Sequence, residues 1–94
     1  MTLDEIANLM RKGLENTRFD DSLKFDCGDG VIVLADNSVY TEDRDADCTI
    51  RISESNLGKL ITGKLNPMTG VMMGKLKVSG DTSVAMKLGK LLKS

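Results

Sequence analysis

Histidine and tryptophan are absent from this 94-residue chain, and its aromatic side chains amount to one tyrosine and two phenylalanines. Without histidine the chain lacks the usual proton donor and acceptor near neutral pH, the most common nitrogen ligand of metals, and the base of Ser-His or Cys-His nucleophile pairs. We therefore expect a protein that is not an enzyme and that holds neither a metal nor a cofactor. Its interior is expected to be aliphatic and rich in the six methionines.

Cysteines and long apolar runs are also scarce. The two cysteines, Cys27 and Cys48, could pair, but the acidic N-terminal residues 2–5 do not resemble a signal peptide. No apolar run approaches the roughly 20 residues that cross a bilayer. The sequence therefore predicts a soluble, cytoplasmic protein in which both cysteines are free thiols and act as small core residues.

Charge is distributed unevenly along the chain, although the formal net charge is only −1. Residues 1–56 carry 6 basic and 13 acidic side chains, whereas residues 57–94 carry 7 lysines and one acid, Asp81. This asymmetry suggests contact of the second part with an anionic surface, but mixing of the two parts on the folded surface is the more common outcome, because sequence position is not spatial position. Nucleic acid is not expected as a partner, because no aromatic platform accompanies the basic residues.

Periodicity in the first half of the chain predicts one helix followed by four strands. Thr2 and Glu5 fit a capping box, so we expect a helix to begin here and to end near Asn16. Side chains then alternate with a period of two, as is typical of strands. The four strands are expected to form an antiparallel meander with one covered face, over residues 23–27, 31–35, 39–42 and 48–52.

The second half of the chain predicts three more helices and a fifth strand within a single domain, 1–94. Ser53 can cap a helix that ends near Thr62, and Asn66-Pro67 can begin another that Gly74 stops. The remaining elements are a strand around residues 76–78 and a last helix capped by Asp81. Helices that all cover one sheet face can stand off it far enough to leave a void between the layers.

Two motifs suggest ligands but lack the structural context that they need. Gly28-Asp29-Gly30 begins like a dinucleotide fingerprint, but a strand follows where a helix should receive the phosphate, so we interpret it as a hairpin turn. Residues 43–54 place acids at four calcium-ligand positions of an EF-hand loop. Cys48, however, occupies the position that requires glycine, and a strand precedes the segment in place of a helix.

Three of the six methionines, Met68, Met72 and Met73, fall in the stretch 57–81. A methionine cluster makes an apolar surface that adapts its shape, which suits a tolerant ligand cavity, although a methionine stripe at helical spacing more often belongs to a plain core. Periodicity alone leaves both interpretations open.

Four spaced segments identify a resemblance to the sterol-binding domain of the sterol carrier protein type 2 (SCP-2) family. The resemblance covers nearly the whole chain and is strongest over residues 45–92, where the four segments are 45–53 (DADCTIRIS), 60–68 (LITGKLNPM), 73–81 (MGKLKVSGD) and 86–92 (MKLGKLL). The resemblance implies an α/β (α+β) domain with a five-stranded, largely antiparallel sheet, helices covering one face, and an apolar tunnel between the layers. Fatty acids, acyl-CoA, sterols or isoprenoid-type lipids are the ligands it implies.

By the same resemblance, the chain is expected to be a non-enzymatic lipid-binding and transfer protein. The expected tunnel residues are Leu60, Ile61, Met68, Met72, Met73, Leu76 and Val78, with Val84, Leu88, Leu91 and Leu92 from the covering helix. Three lysines of that helix, Lys87, Lys90 and Lys93, are candidates for docking on an anionic membrane, although a solvated helix face is the more common explanation of such lysines. The alternative function is an accessory module that presents a lipid-like substrate, such as a quinone intermediate, to a partner enzyme.

Overall fold

Four helices and five strands follow one another in the part of the chain that the structure describes. This computed structural model covers residues 2–92, with side chains described as far as residue 87. In chain order the elements are α1 (Leu3–Asn16), β1 (Leu23–Asp26), β2 (Val31–Ala35), β3 (Ser38–Tyr40), β4 (Cys48–Ile52), α2 (Glu54–Ile61), α3 (Pro67–Met72), β5 (Leu76–Gly80) and α4 (Thr82–Leu92). Every expected helix and strand is present, although β3 ends earlier than predicted and β1 ends before Cys27.

The strands form one sheet in the order β3-β2-β1-β4-β5, in which only the neighbours β1 and β4 are parallel. The five-stranded, largely antiparallel sheet is therefore confirmed. The four-strand meander is wrong at its last step, because β4 lies beside β1 and not beside β3. Alternation of apolar and polar residues indicates which face a side chain occupies, but it does not identify the strand with which that residue pairs.

One face of the sheet carries the hydrophobic core. Partners on neighbouring strands share a face, and Phe25 pairs with Ile32 on β2 and with Ile50 on β4. Val78 on β5 extends this apolar row as the partner of Ile50. Three helices cover the face with buried side chains: Ile6, Ala7, Met10 and Leu14 from α1, Leu57 and Leu60 from α2, and Val84 from α4. The predicted covering of one face by helices is thus confirmed.

The opposite face is partly covered by the loop that joins β3 to β4. Val33 on this face is fully buried, and its partners on the neighbouring strands are Lys24 and Tyr40. The loop places Asp43 2.7 Å from the Lys24 ammonium group and Arg44 3.9 Å from the centre of the Tyr40 ring. The sequence predicted a sheet with a single covered face, whereas the loop also covers part of the second face. Asp43, the first acid of the EF-hand-like segment 43–54, is thus paired with Lys24. Residues 48–52 of that segment form a strand, which excludes an EF-hand loop there.

The two cysteines lie at opposite ends of the parallel strand pair. Cys48 is opposite Leu23 at the start of β1, whereas Cys27 follows Asp26 at its end. Four residues of extended strand span about 13 Å, which exceeds the roughly 7 Å limit on the Cα separation in a disulfide. Both thiols are free, as expected. Cys48 is buried in the core, but Cys27 is only half-buried, because it belongs to the turn between β1 and β2.

Candidate functional site

A cavity of about 250 Å³ opens between the edge strand β5 and the helices above it. Its floor is formed by buried side chains of three elements, Ile50, Leu60 and Leu76. Its mouth is formed by side chains of α3 and α4 that are largely exposed to solvent. The described lining residues are Ile50, Leu60, Pro67, Met68, Val71, Met72, Leu76, Val78, Thr82, Ala85 and Met86. The predicted tunnel therefore takes the form of a cavity with an open mouth.

Helix α3 forms one wall of the cavity, and a glycine determines how closely it approaches the sheet. The Asn66 side-chain oxygen accepts hydrogen bonds from the backbone N–H groups of Met68 and Thr69, at 2.9 and 3.4 Å, and thereby caps the helix. A Cβ atom at Gly70 would lie 2.9 Å from a methyl group of Leu76 on β5. Glycine at this position therefore lets the helix backbone rest on Leu76, while the longer side chains on either side surround the open space.

Helix α4 forms the opposite wall and is fixed at two points. The Asp81 carboxylate accepts hydrogen bonds from the backbone N–H of Ser83 at 3.0 Å and from its hydroxyl at 2.6 Å, which caps the helix. Later in the helix, the Lys87 ammonium group donates a hydrogen bond of 2.6 Å to the carboxylate of Asp21, a residue of the loop between α1 and β1. With Val84 buried in the core, these contacts direct Ala85 and Met86 towards the cavity.

The hydrogen bonds at these two contacts shift the pKa values of Asp81 and Lys87. The hydrogen bonds from Ser83 lower the pKa of Asp81, because they stabilise the carboxylate, and Lys87 contributes to the shift. The hydrogen bond to Asp21 raises the pKa of Lys87 for the corresponding reason. Lys87 therefore already has an acidic partner within the protein, which weakens the prediction that it docks on a membrane. The side chains of Lys90 and Lys93 lie outside the described residues.

The described lining of the cavity contains no acidic or basic side chain and no cysteine. Thr82 is the one polar residue in its described lining, and none of the described lining residues titrates. Within residues 2–92, no group of three or more Asp, Glu or Cys side chains is arranged to hold a metal ion. Burial raises the pKa of the Cys27 thiol to about 11, with Glu54 and Asp26 adding to the shift, so this thiol is a poor nucleophile at neutral pH. The arrangement is suited to holding an apolar molecule.

The structure brings five of the expected tunnel residues together around the cavity: Leu60, Met68, Met72, Leu76 and Val78. Three others are placed elsewhere. Val84 belongs to the core, Ile61 packs half-buried against the core, and Met73 is 61% exposed outside the described lining. Helical spacing does not separate these positions, because α2 and α4 present apolar residues to the core and to the cavity from one broad face. The side chains of Leu88, Leu91 and Leu92 lie outside the described part of α4.

Several lining residues were missing from the sequence prediction. Val71 shares a helix face with Met68, and Ala85 and Met86 follow Thr82 by three and four residues, so helical spacing could have suggested all of them. Ile50 is different, because it reaches the cavity as the partner of Val78 on β5. Its role could be found only from the strand register.

No helix within residues 2–92 is long and apolar enough to cross a membrane. The model of the SCP-2 sterol transfer family matches residues 4–93. Sterol carrier protein 2 of Bos taurus is 51% identical over 49 residues, which are 52% of this chain and 9% of the bovine protein. The chain thus spans about a tenth of the length of such curated relatives.

Two solved structures have a similar fold. Sterol carrier protein 2 of Aedes aegypti, in complex with palmitate, is 22% identical, has a TM-score of 0.78, and is matched over 98% of this chain and 96% of the mosquito protein. The UbiJ-SCP2 ubiquinone synthesis protein is also 22% identical, with a TM-score of 0.70 over 96% of this chain and 91% of that protein. At these identities the likeness establishes the fold.

Proposed function

This chain belongs to the SCP-2 sterol transfer family, and we propose that it is a non-enzymatic carrier that binds a lipid in the cavity and transfers it between membranes. The observation that carries the proposal is the cavity itself, about 250 Å³ in volume and apolar in its described lining except for Thr82. Residues 1–94 would act as one lipid-binding domain, and we place it in the cytoplasm. Its ligand would be a fatty acid, an acyl-CoA, a sterol or an isoprenoid-type lipid.

The physical task of such a carrier is to replace the bilayer as a solvent for the lipid. At about 0.8 kcal/mol per CH₂ group, moving a 16-carbon chain from a membrane into water opposes transfer by roughly 12 kcal/mol. Burial against Leu60, Leu76 and Val78 would return part of this free energy. A carrier must offset most of this free-energy cost but not all of it, because the lipid must also be released to a membrane.

The methionines at the mouth allow the cavity to adapt to its ligand. Pockets for drug-sized ligands have volumes of about 300–1,000 Å³, so a cavity of about 250 Å³ must expand to enclose a long acyl chain. Met68, Met72 and Met86 are unbranched and can change rotamer at little cost, and all three are largely exposed. We propose that these side chains move outward as the lipid enters and then cover it.

Filling the cavity tests the proposal. Ala85 is half-buried in the lining, so Ala85→Phe should place a ring in the ligand volume and weaken binding of a fluorescent fatty acid by about tenfold or more. The matched control is Met73→Phe, which adds a ring outside the described lining and should leave the affinity unchanged. Circular dichroism and thermal unfolding establish that both variants fold. A folded Ala85→Phe protein that binds as tightly as the wild type would disprove the cavity assignment.

If Ala85→Phe does not fold, Met72→Glu offers a second route. Met72 is 86% exposed at the mouth, so a substitution there should be tolerated by the fold while it places a negative charge at the entrance, where it repels the carboxylate of the fatty acid. We expect weaker fatty-acid binding in Met72→Glu than in Met73→Glu. Equal binding by these two neighbouring variants would contradict the role of the mouth.

The second candidate function is an accessory module that presents a lipid-like substrate to a partner enzyme. The fold similarity to the UbiJ-SCP2 ubiquinone synthesis protein supports this alternative. The two functions differ in what accompanies the purified protein. One enzyme recovered in a fixed ratio with the chain, together with no bound lipid, would favour the module, whereas a bound lipid and no enzyme would favour the carrier.

A further inference from the structure

Five large apolar side chains are exposed on α3, at its C-terminal cap and on α4, and we call them the methionine surface. They are Met68 (65% exposed), Val71 (49%), Met72 (86%), Met73 (61%) and Met86 (73%). A contiguous apolar patch on a small protein commonly marks a contact with another molecule. Met73 is the most informative member, because it lies outside the described lining of the cavity, so binding a lipid there does not explain its exposure.

The backbone around Met73 fixes its position on the outer surface. Met73 is the C-cap residue that directly follows α3, and its N–H donates a hydrogen bond to the carbonyl oxygen of Thr69 at 2.9 Å. The next residue, Gly74, has φ +71°, which turns the chain away from the helix and towards β5. Met73 is therefore held at a corner between two well-defined elements and is not part of a long loop.

The charged side chains nearest to α3 in sequence, on either side of it, are lysines. Residues 55–80 contain four lysines and no acidic side chain. Two of these lysines, Lys64 and Lys75, flank α3 in sequence and are exposed, and neither forms an ion pair with any residue in the described part of the chain. An apolar surface with lysines at its edges complements an anionic lipid bilayer, in which acyl chains lie beneath phosphate groups.

The same charges argue against a second copy of the chain as the occupant. A symmetric contact through the methionine surface would bring the flanking lysines of both copies to one interface, with no acid from residues 55–80 to pair with them. A bilayer avoids this repulsion. It also explains why the apolar side chains surround a mouth, because a docked cavity would open directly onto the lipids.

We propose that the methionine surface docks on anionic bilayers, with Met73 inserted among the lipids and with Lys64 and Lys75 at the level of the phosphate groups. Docking would use α3, and not the lysines of α4 that the sequence suggested. The purpose of docking rests on the proposed carrier function, since lipid would pass between bilayer and cavity without crossing water. Docking itself requires no ligand and can be measured on the empty protein.

The test is co-sedimentation of the ligand-free protein with phosphatidylcholine vesicles, prepared with or without phosphatidylglycerol. We expect binding to the anionic vesicles and a loss of about tenfold in affinity for Met73→Ser. Met73→Leu, which keeps an apolar side chain, should restore binding. If Met73→Ser binds as tightly as the wild type, or if the wild type ignores anionic vesicles, the proposal is overturned.

Charge is tested with matched single substitutions. Lys64→Gln and Lys75→Gln should each weaken binding to anionic vesicles by about fivefold at low salt, and high salt should abolish the difference. The control is Lys12→Gln on α1, which removes the same charge from an exposed site on another helix and should have a smaller effect. Equal losses for all three variants would indicate a general charge effect and would contradict docking through α3.

Two further measurements separate this proposal from its alternatives. Uptake of a fluorescent fatty acid from solution should be unchanged in Met73→Ser, so failed docking and failed lipid binding are distinguishable. Sedimentation velocity tests the second copy as occupant. A wild-type dimer that Met73→Ser converts to a monomer, with no vesicle binding, would show that the methionine surface is a contact between copies and would overturn the proposal.

Discussion

Gly80 is the residue at which backbone geometry restricts the sequence most tightly. Its φ is +86°, and a Cβ atom there would lie 2.5 Å from the carbonyl oxygen of Asp47. That same oxygen accepts a hydrogen bond from the N–H of Asp81 at 2.9 Å. The close approach joins the end of β5 to the start of β4 and sets the point at which α4 begins. The cavity wall formed by α4 therefore depends on this glycine.

Replacing Gly80 with alanine should destabilise the protein through both effects. We expect the free energy of unfolding to fall by about 2 kcal/mol or more in Gly80→Ala, because the strained φ and the backbone clash add. Gly28→Ala is the matched control. Gly28 has φ +85° but no atom within 4 Å of a built Cβ, so only the strain of about 1 kcal/mol should remain. Urea denaturation measures both, and equal losses would contradict the role of the clash.

Residues 72 and 73 illustrate how far single positions could be predicted. The methionine cluster and the family resemblance suggested that Met72 and Met73 both face a ligand. The structure places Met72 at the mouth and Met73 outside the described lining, because α3 ends at Met72 and the chain turns at Gly74. Composition indicates that an apolar surface exists. The direction of each side chain depends on where the helix stops, and a helix boundary is uncertain by one or two residues.

At the scale of elements, local signals in the sequence were sufficient to locate the helices. The capping box of Thr2 and Glu5 and the Asn66-Pro67 start of α3 are present as predicted. Their hydrogen bonds involve neighbours within three residues, so sequence spacing determines them. The partner of β4 could not be found in this way. It depends on a crossover of the 41–47 loop over other strands, which no local spacing records.

The cap of α4 predicts a pH dependence of stability. Hydrogen bonds from Ser83 lower the pKa of Asp81 below its ordinary value of 3.8 in the folded state. The unfolded chain therefore binds a proton more readily than the folded one, so the cap stabilises the protein above pH 3.8 and loses its contribution as the pH falls through the lower, folded value.

Comparison with Asp81→Asn isolates this contribution, because asparagine also caps helices but does not titrate. The difference in unfolding free energy between wild type and variant should be constant from neutral pH to about pH 5 and should shift in favour of the variant below pH 4. Urea denaturation over this pH range measures it. A difference that is independent of pH would contradict the assignment of Asp81 as a charged cap.

At the scale of the whole molecule, the charge asymmetry of the sequence is partly preserved in the structure. Lys87 of the second part pairs with Asp21 of the first, so the two parts mix at this contact, whereas the pair of Lys24 and Asp43 lies within the first part. The lysines of residues 55–80 form no ion pair within the described part of the chain. The sequence left mixing and separation open, because position in the chain does not determine position on the surface.

The cavity is also a property of the whole molecule. Strands β4 and β5 provide its floor together with α2, and α3 and α4 provide its walls. Five of its described residues were expected from the resemblance. Ile50 was not, because its contribution requires the register between β4 and β5. The number of apolar residues can be counted in a sequence. The gap between the sheet and its helices can be seen only when their relative positions are known.

Native mass spectrometry tests most directly whether the cavity carries lipid. Wild-type protein incubated with fatty-acid-loaded vesicles and then separated from them should carry one lipid per chain. Ala85→Phe, treated in the same way, should be recovered largely without lipid. A folded wild-type protein that emerges with no bound lipid, or an Ala85→Phe protein as fully loaded as the wild type, would contradict the proposal that this cavity is the carrier site.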